Sequence, residues 1–439
     1  MKPKGLFVAV VLLAVLAGAI WYSNKKQAAT PAKSATDTTS KLLTIPADQF
    51  QEIRIKKPAE TLDLKLVDGK WRIVEPKPLP ADQDAVTAMV TSLSALTADK
   101  TIEDNATDLK AYGLDMPNVE VTVTKKDGKS AGLLVGDPTP TNSGSYAKLP
   151  DSSKIYTVAS FVKTGLDKSV NDLRDKRLLT FDSDKLTRVQ LAAKGTPVEF
   201  GKNGQNEWQI LKPRPLRADG SQVETLISKL KDAKMDPLVS DDDAKKAAAA
   251  FASGTRVALA TVSDGNGDQT LEIRKDKDKN YYAKSSVVDG YFKVASDVGD
   301  AVDKEADDFR NKKLFEFGFS DPSKIELKGA VYTKSGDKWM SGAKTMDNAS
   351  VQSLIDKLRD LTAIKFVEKP GGDPVFEATV TSNAGKKVEK VTVRKQGTDY
   401  FAQREGEPSI YQLDSKAVED LQAAAVGVKE AAPEPVKKK

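Results

Sequence analysis

Apolar residues recur along this chain in three helical stripes, each preceded and followed by alternating strands. The stripes are Val86, Met89, Val90, Leu93 and Leu96; Val223, Leu226, Ile227 and Leu230; and Val351, Leu354, Ile355 and Leu358. Each follows the i, i+3, i+4, i+7 spacing that lays one apolar face along a helix. Asp82, Asp219 and Asp347 stand just before the stripes, where a carboxylate can accept the free N–H groups of a first helical turn. Upstream, Ile53 and Ile55, Val189 and Leu191, and Ile325 and Leu327 alternate with polar residues. Leu62, Leu64 and Leu66 do the same, the period-two signature of a half-buried strand. Asp68-Gly69 is a hairpin-turn pair. Downstream, Val119, Val121 and Val123 predict a further strand, with Val257, Leu259 and the region of Val380 as counterparts.

The pattern is one unit used three times. Trp71, Trp208 and Trp339 lie 137 and 131 residues apart. The first two share a long context, Trp71-Arg-Ile-Val-Glu-Pro-Lys-Pro-Leu-Pro-Ala-Asp82 and Trp208-Gln-Ile-Leu-Lys-Pro-Arg-Pro-Leu-Arg-Ala-Asp219. Such a period is too long for a solenoid turn and suits a whole folded module. The expected class is α+β: three tandem strands-helix-strands-helix modules with mainly antiparallel sheet, behind an N-terminal transmembrane helix. The expected boundaries are 1–26 for the anchor, 27–41 for a flexible stalk, 42–177, 178–313 and 314–429 for the repeats, and 430–439 for a disordered tail. Trp71 and Trp208 alternate with apolar Ile73 and Ile210, so the repeated tryptophans are read as core anchors rather than stacking platforms.

Residues 5–22, GLFVAVVLLAVLAGAIWY, carry no charge and reach the lower length limit for a membrane span. Trp21 and Tyr22, with Lys25 and Lys26 beyond, suit the interface. An uncleaved anchor is preferred over a signal peptide cut near Ala17-Gly18-Ala19, because the apolar run continues past that point. The body is expected to face the periplasm from the bacterial inner membrane. Four lysines and no acid fall within residues 1–26, so the net charge of +5 leaves the remainder at 64 − 63, or +1. A near-neutral body lacks the basic footprint of a nucleic-acid binder. With no Cys and no His, disulfides, thiolate nucleophiles, His bases and His/Cys zinc sites are excluded.

Two features invite a binding reading. The loop Gly136-Asp-Pro-Thr-Pro-Thr-Asn-Ser-Gly-Ser-Tyr146 offers Gly136, Asp137, Thr139, Thr141 and Tyr146 to a sugar, phosphate or partner, though it lacks the P-loop lysine and spacing. The runs Arg174-Asp-Lys-Arg177 and Arg310-Asn-Lys-Lys313 end predicted closing helices, 136 residues apart. There Arg174, Arg177 and Arg310 can offset a helix dipole, bridge module junctions or meet an anion. The acid clusters Asp241–Asp243 and Asp264–Asp268 are read as loop chemistry, since no bidentate Glu completes a calcium loop. No cofactor, metal or catalytic residue is expected.

Tyr112-Gly-Leu-Asp-Met-Pro117, Asp127-Gly128, Leu134-Val-Gly-Asp137, Thr139, Tyr146, Ile155-Tyr156 and Leu173-Arg-Asp-Lys-Arg-Leu178 resemble the bacterial envelope family of domain of unknown function 4340. The second copy departs from it, with Phe251-Ala-Ser-Gly254 in place of the Tyr-Gly-Leu-Asp element. The resemblance implies a single-pass, extracytoplasmic protein accompanying ABC-transporter components of the gliding-motility type. The family has no assigned catalytic residues, so the resemblance carries none over. The expected role is therefore a non-enzymatic accessory or scaffold subunit, with membrane-embedded or membrane-proximal envelope proteins as partners and the bilayer held through residues 5–22. The alternatives are a cell-envelope glycan-binding module and, third, a carboxylate-dependent hydrolase.

Overall fold

A computed structural model of the chain describes residues 40–237, 241–318, 321–369 and 371–432. Three antiparallel sheets carry helices between and after their strands. The first comprises β1 (Phe50–Lys57), β2 (Glu60–Val67), β3 (Lys70–Glu75), β4 (Leu79–Pro80), β5 (Lys100–Glu103), β6 (Val119–Lys125), β7 (Ser130–Pro138), β8 (Gly144–Lys148) and β9 (Ile155–Ala159). Their order is β4-β3-β2-β1-β6-β7-β8-β9-β5. Helix α1 (Gln83–Ser94) follows β4, while α2 (Ser160–Leu166) and the single turn α3 (Val170–Leu173) follow β9.

The second sheet runs β10 (Arg188–Ala192), β11 (Val198–Lys202), β12 (Trp208–Lys212), β13 (Leu216–Arg217), β14 (Thr255–Asp264), β15 (Gly267–Lys275), β16 (Tyr281–Ser285) and β17 (Phe292–Val294). It carries α4 (Gly220–Lys231), α5 (Asp241–Ser253) and α6 (Ser296–Val302). The third runs β18 (Lys324–Leu327), β19 (Ala330–Ser335), β20 (Lys338–Ser341), β21 (Lys344–Met346), β22 (Ala363–Val367), β23 (Asp373–Ser382), β24 (Lys387–Gln396), β25 (Asp399–Arg404) and β26 (Ile410–Leu413), with α7 (Asn348–Arg359) and α8 (Ser415–Val426). The chain divides into two compact units. One ends at Asp175; the other begins at Lys176 and holds the second and third sheets.

The same register recurs in each sheet. Ile53 pairs with Leu64 and Val123, Val189 with Phe200 and Val262, Ile325 with Tyr332 and Val380. These residues are all buried, and each such apolar side chain contributes about 1.5–3 kcal/mol when withdrawn from water. Trp71, Trp208 and Trp339 are 8%, 7% and 5% exposed, and each is tied to the first helix of its own sheet. Gln83 clasps the Trp71 backbone, the Trp208 indole N–H donates to Glu224, and Asn348 accepts from the Trp339 N–H at 3.3 Å. Asp82, Asp219 and Asp347 cap their helices through side-chain oxygens. Asp68 and Gly69 both take positive φ in the β2–β3 hairpin, as a primed turn requires.

Backbone hydrogen bonds close each region in the same way. The N–H of Asp82 donates to Leu173 O at 2.8 Å, that of Asp219 to Phe309 O at 2.7 Å, and that of Asp347 to Lys429 O at 2.9 Å. The N–H groups of Leu42, Leu178 and Leu314 donate to Leu96, Ala233 and Leu361.

Three points differ from the sequence reading. Val257 and Leu259 are only partly buried, and the core face of β14 is Ala258, Ala260 and Val262. Apolar residues occupy both faces there, and a register shift at Arg256/Ala258 sets the phase. Asp241–Asp243 opens the helix α5 instead of a loop, because the alanine-rich run behind it favours helix. The second sheet, among the described residues, lacks a counterpart of β5 and β22. Among the described residues no helix is long and apolar enough to cross a membrane. The apolar run 5–22, the stalk as far as residue 39 and the tail from 433 lie outside the described residues.

Candidate functional site

The loop singled out in the first region is a hairpin whose polar groups bind one another. Gly136 is buried at the end of β7, where a Cβ would stand 2.2 Å from Tyr112 O. Gly113 ends the one-turn helix Lys110–Tyr112 with φ 63°, and its N–H returns to Lys110 O. The close approach of these two glycines explains why a side chain is missing at both. The exposed Asp137 carboxylate lies over Gly113. Asn118 Nδ2 donates to Gly136 O at 2.9 Å and to Asp137 Oδ1 at 3.3 Å.

Thr139 Oγ1 accepts from the Gly144 N–H at 3.3 Å and sits 3.4 Å from Thr141 Oγ1, which sits 2.9 Å from Ser143 Oγ. Tyr146 meets the Tyr112 ring edge-on, centroids 4.9 Å apart. Tyr112 Oη donates to Glu103 Oε2 at 2.9 Å, a bond that raises its phenol above the ordinary range. Gly136, Asp137 and Tyr146 thus come together with the Tyr112-Gly113 element. Thr139 and Thr141 close the hairpin.

The three arginines occupy different places. Arg174 follows the single turn α3, bridges to Ala81 through its backbone, and has its guanidinium lowered below the ordinary value by burial. Arg177 bridges to Lys234 at the start of the second region. Arg310 bridges to Ala218 and is 8% exposed. Its guanidinium pairs with Asp307 at 2.9 Å, donates to Ser409 Oγ at 2.9 Å, and lies 3.4 Å from the centroid of Phe366. It therefore joins the second sheet to the third.

Beside Arg310 lies a charge network absent from the sequence reading. Arg217 pairs with Glu316 at 3.2 Å and Glu407 at 3.0 Å, and donates to Tyr411 Oη at 3.3 Å and to Lys313 O. Arg404 pairs with Glu389 at 3.0 Å and Glu407 at 2.7 Å, and donates to Leu314 O. Lys387 lies 3.7 Å from both Glu316 and Glu389. Burial alone would raise the Glu316 carboxyl. Arg217, Lys387, Asn311 and Arg404 outweigh it and hold the group below the usual carboxylate range. Burial likewise opposes the charged Arg217, but Tyr411, Glu407 and Glu316 hold it above its ordinary value. Burial pushes the Tyr411 phenol up against the opposing pull of Arg217.

Three carboxylates thus face three cations, each aimed at another member of the set. The arrangement can fix two sheets in one geometry. One sequence signal marks it: where the first copy has Pro80, the repeated Trp segment has Arg217.

The acid turn Asp264–Asp268 is occupied in the same manner. Asp264 accepts from the Asp182 and Asn266 N–H groups, and Asp268 pairs with Arg188 at 2.7 Å. Among the described residues no group of three or more acidic side chains is arranged to hold a metal ion.

A family model described as "Domain of unknown function (DUF4340)" matches residues 71–213 and again 208–383. No curated protein and no solved structure matches the chain.

Proposed function

The chain belongs to the DUF4340 family, and on that premise we propose that it is a non-enzymatic, membrane-anchored accessory or scaffold subunit of an envelope system of the ABC-transporter type. In this reading the three sheets are three tandem copies of one α+β module, at 42–177, 178–313 and 314–429. Residues 5–22 are the anchor, and the body lies on the periplasmic side of the inner membrane. The short segment 27–41 is the tether in this reading, which would keep the body near the bilayer. Its partners are then membrane-embedded or membrane-proximal.

The observation that carries the reading is where the charged side chains go. The Arg217, Glu316, Glu389, Arg404 and Glu407 set joins the second sheet to the third, its members paired with one another. What recurs in all three sheets is core register, helix caps and closing hydrogen bonds. Burial of all three tryptophan rings supports holding over glycan stacking. The test is crosslinking in intact membranes, with a C-terminal alkaline-phosphatase fusion reporting topology. An active, carbonate-resistant fusion and a recurrent membrane-protein crosslink are expected. An inactive fusion, or a body that turns over a glycan or peptide and loses that turnover on one carboxylate substitution, would overturn the proposal.

A further inference from the structure

The third region leaves open a groove that the first two fill with their own chain. In the first, the segment Asp167-Lys-Ser-Val-Asn-Asp-Leu173 crosses back after α2 and buries Leu173, 1% exposed. In the second, Asp303-Lys-Glu-Ala-Asp-Asp-Phe309 does the same after α6 and buries Phe309 against Phe200, ring centroids 4.9 Å apart. Both segments place an aspartate six residues before the buried side chain. Each is also tied down by a lysine from the first strand or just beyond it. Lys57 Nζ lies 3.4 Å from Asp167 and 3.0 Å from Lys168 O, and Lys194 Nζ lies 3.1 Å from Asp303 and 3.3 Å from its carbonyl.

The third region departs from both. Helix α8 continues unbroken for twelve residues and packs on α7 and β25. The residue whose carbonyl closes the region is Lys429, with an exposed side chain. A groove of about 910 Å³ remains between α8 and the sheet, lined by Tyr332, Val375, Phe376, Ala425 and Val426 and by three charged residues: Lys328, Glu326 paired with Lys324 at 2.8 Å, and Glu377 paired with Lys390 at 3.3 Å. Tyr332 is the register counterpart of Phe200. Phe376 is the counterpart of the fully buried Val119 and Ala258, yet it is only half-buried. Val375 and Val426 are 41% and 88% exposed. Lys328 stands one residue beyond Leu327, as Lys57 and Lys194 stand two and three beyond the equivalent Ile55 and Leu191. Among the described residues no carboxylate pairs with it.

We propose that this groove docks a turn from a partner protein, one presenting a large apolar side chain to Tyr332 and Phe376 and an upstream carboxylate to Lys328. The chemistry is that of residues 303–309, with Asp303 and Phe309 as its two contacts. A second copy of this chain cannot readily supply the turn, because its own Phe309 is fully buried. The inference rests on the holding role proposed above and names the chemistry of what is held.

The probe is a fluorescein-labelled peptide with the sequence of residues 299–311, titrated into the full chain by fluorescence anisotropy. Saturable binding is expected. Lys328→Glu should weaken it about tenfold, the scale of one charge-assisted contact. A peptide carrying Asp303→Lys should restore binding to that variant, and Ala425→Trp, which fills the groove, should abolish it. No saturable binding, or binding indifferent to Lys328→Glu and Ala425→Trp, overturns the proposal. Tighter peptide binding in Val436→Asp would also overturn it, by making residues 433–439 the occupant. A membrane crosslink that survives Ala425→Trp would sink the groove and leave the holding role standing. Loss of every crosslink in the unmodified chain would sink the holding role itself.

Discussion

The second and third regions share a register, a capped first helix and a closing hydrogen bond, but they differ in what the closing residue does. In the second, Phe309 turns inward against Phe200 and is fully buried. In the third, the Lys429 carbonyl accepts the equivalent bond from the Asp347 N–H, and its side chain turns to water. The backbone tie therefore does not depend on the side chain, and the core above it does. A second difference lies at the opening of each region. Ser285 donates its hydroxyl to Leu178 O, and Arg404, at the same register position, donates to Leu314 O. The arginine keeps that contact and adds Glu389 and Glu407. One framework thus tolerates an added charge network at one end and an open groove at the other.

The comparison breaks first at Phe309. Phe309→Ala should cost about 3–5 kcal/mol in chemical denaturation, and Lys429→Ala no more than ~0.5 kcal/mol. Equal costs would mean that the two closing residues play the same part. Arg404→Ser installs the second region's residue in the third. It should keep a contact to Leu314 O while leaving the buried Glu389 without its closest cation, at a cost of about 3–5 kcal/mol. A near-neutral result would show the network to be dispensable.

Where the regions agree, the effects should agree. Asp219→Ala and Asp347→Ala should each cost about 1 kcal/mol through loss of a helix cap, and a large gap between them would argue against equivalent helices. The smallest effect is a pH dependence confined to the join. The Glu316 carboxyl is held below its ordinary range, so its contribution is complete above the unfolded-state value of about 4.3. It is lost as pH falls through the lower folded-state value. Thermal unfolding of the parent and Glu316→Gln should differ at neutral pH and converge in acid. A difference that grows on acidification would contradict the assignment.

Much of the framework was legible because it rests on short-range pattern. The helix stripes, the Asp82, Asp219 and Asp347 caps and the Asp68-Gly69 turn each follow from local spacing. The α5 helix was hidden behind three aspartates that resemble loop chemistry, although the alanines after them decide the conformation. The β14 phase was hidden because small alanines, not Val257 and Leu259, face the core. Of the candidate site residues, Gly136 and Tyr146 sit in a family-like motif, but the motif alone does not reveal that Gly136 lies against Tyr112 and Gly113. Arg310 stood out as one of a pair with Arg174. Its partner Ser409 is 99 residues away, and Glu389 lies 15 residues from Arg404 across a hairpin. Such contacts depend on register between strands, which spacing in one strand does not disclose.

The account turns on the claim that the third region is the same unit left open at its closing residue. Lys429→Phe tests it directly, since the backbone tie to Asp347 is already in place. The new ring should enter the groove beside Tyr332 and stabilise the chain by about 1.5–3 kcal/mol, the scale of burying one such side chain. Equilibrium denaturation should register that gain, and binding of the 299–311 peptide should be lost with it. Unchanged or reduced stability with peptide binding intact would contradict the claim.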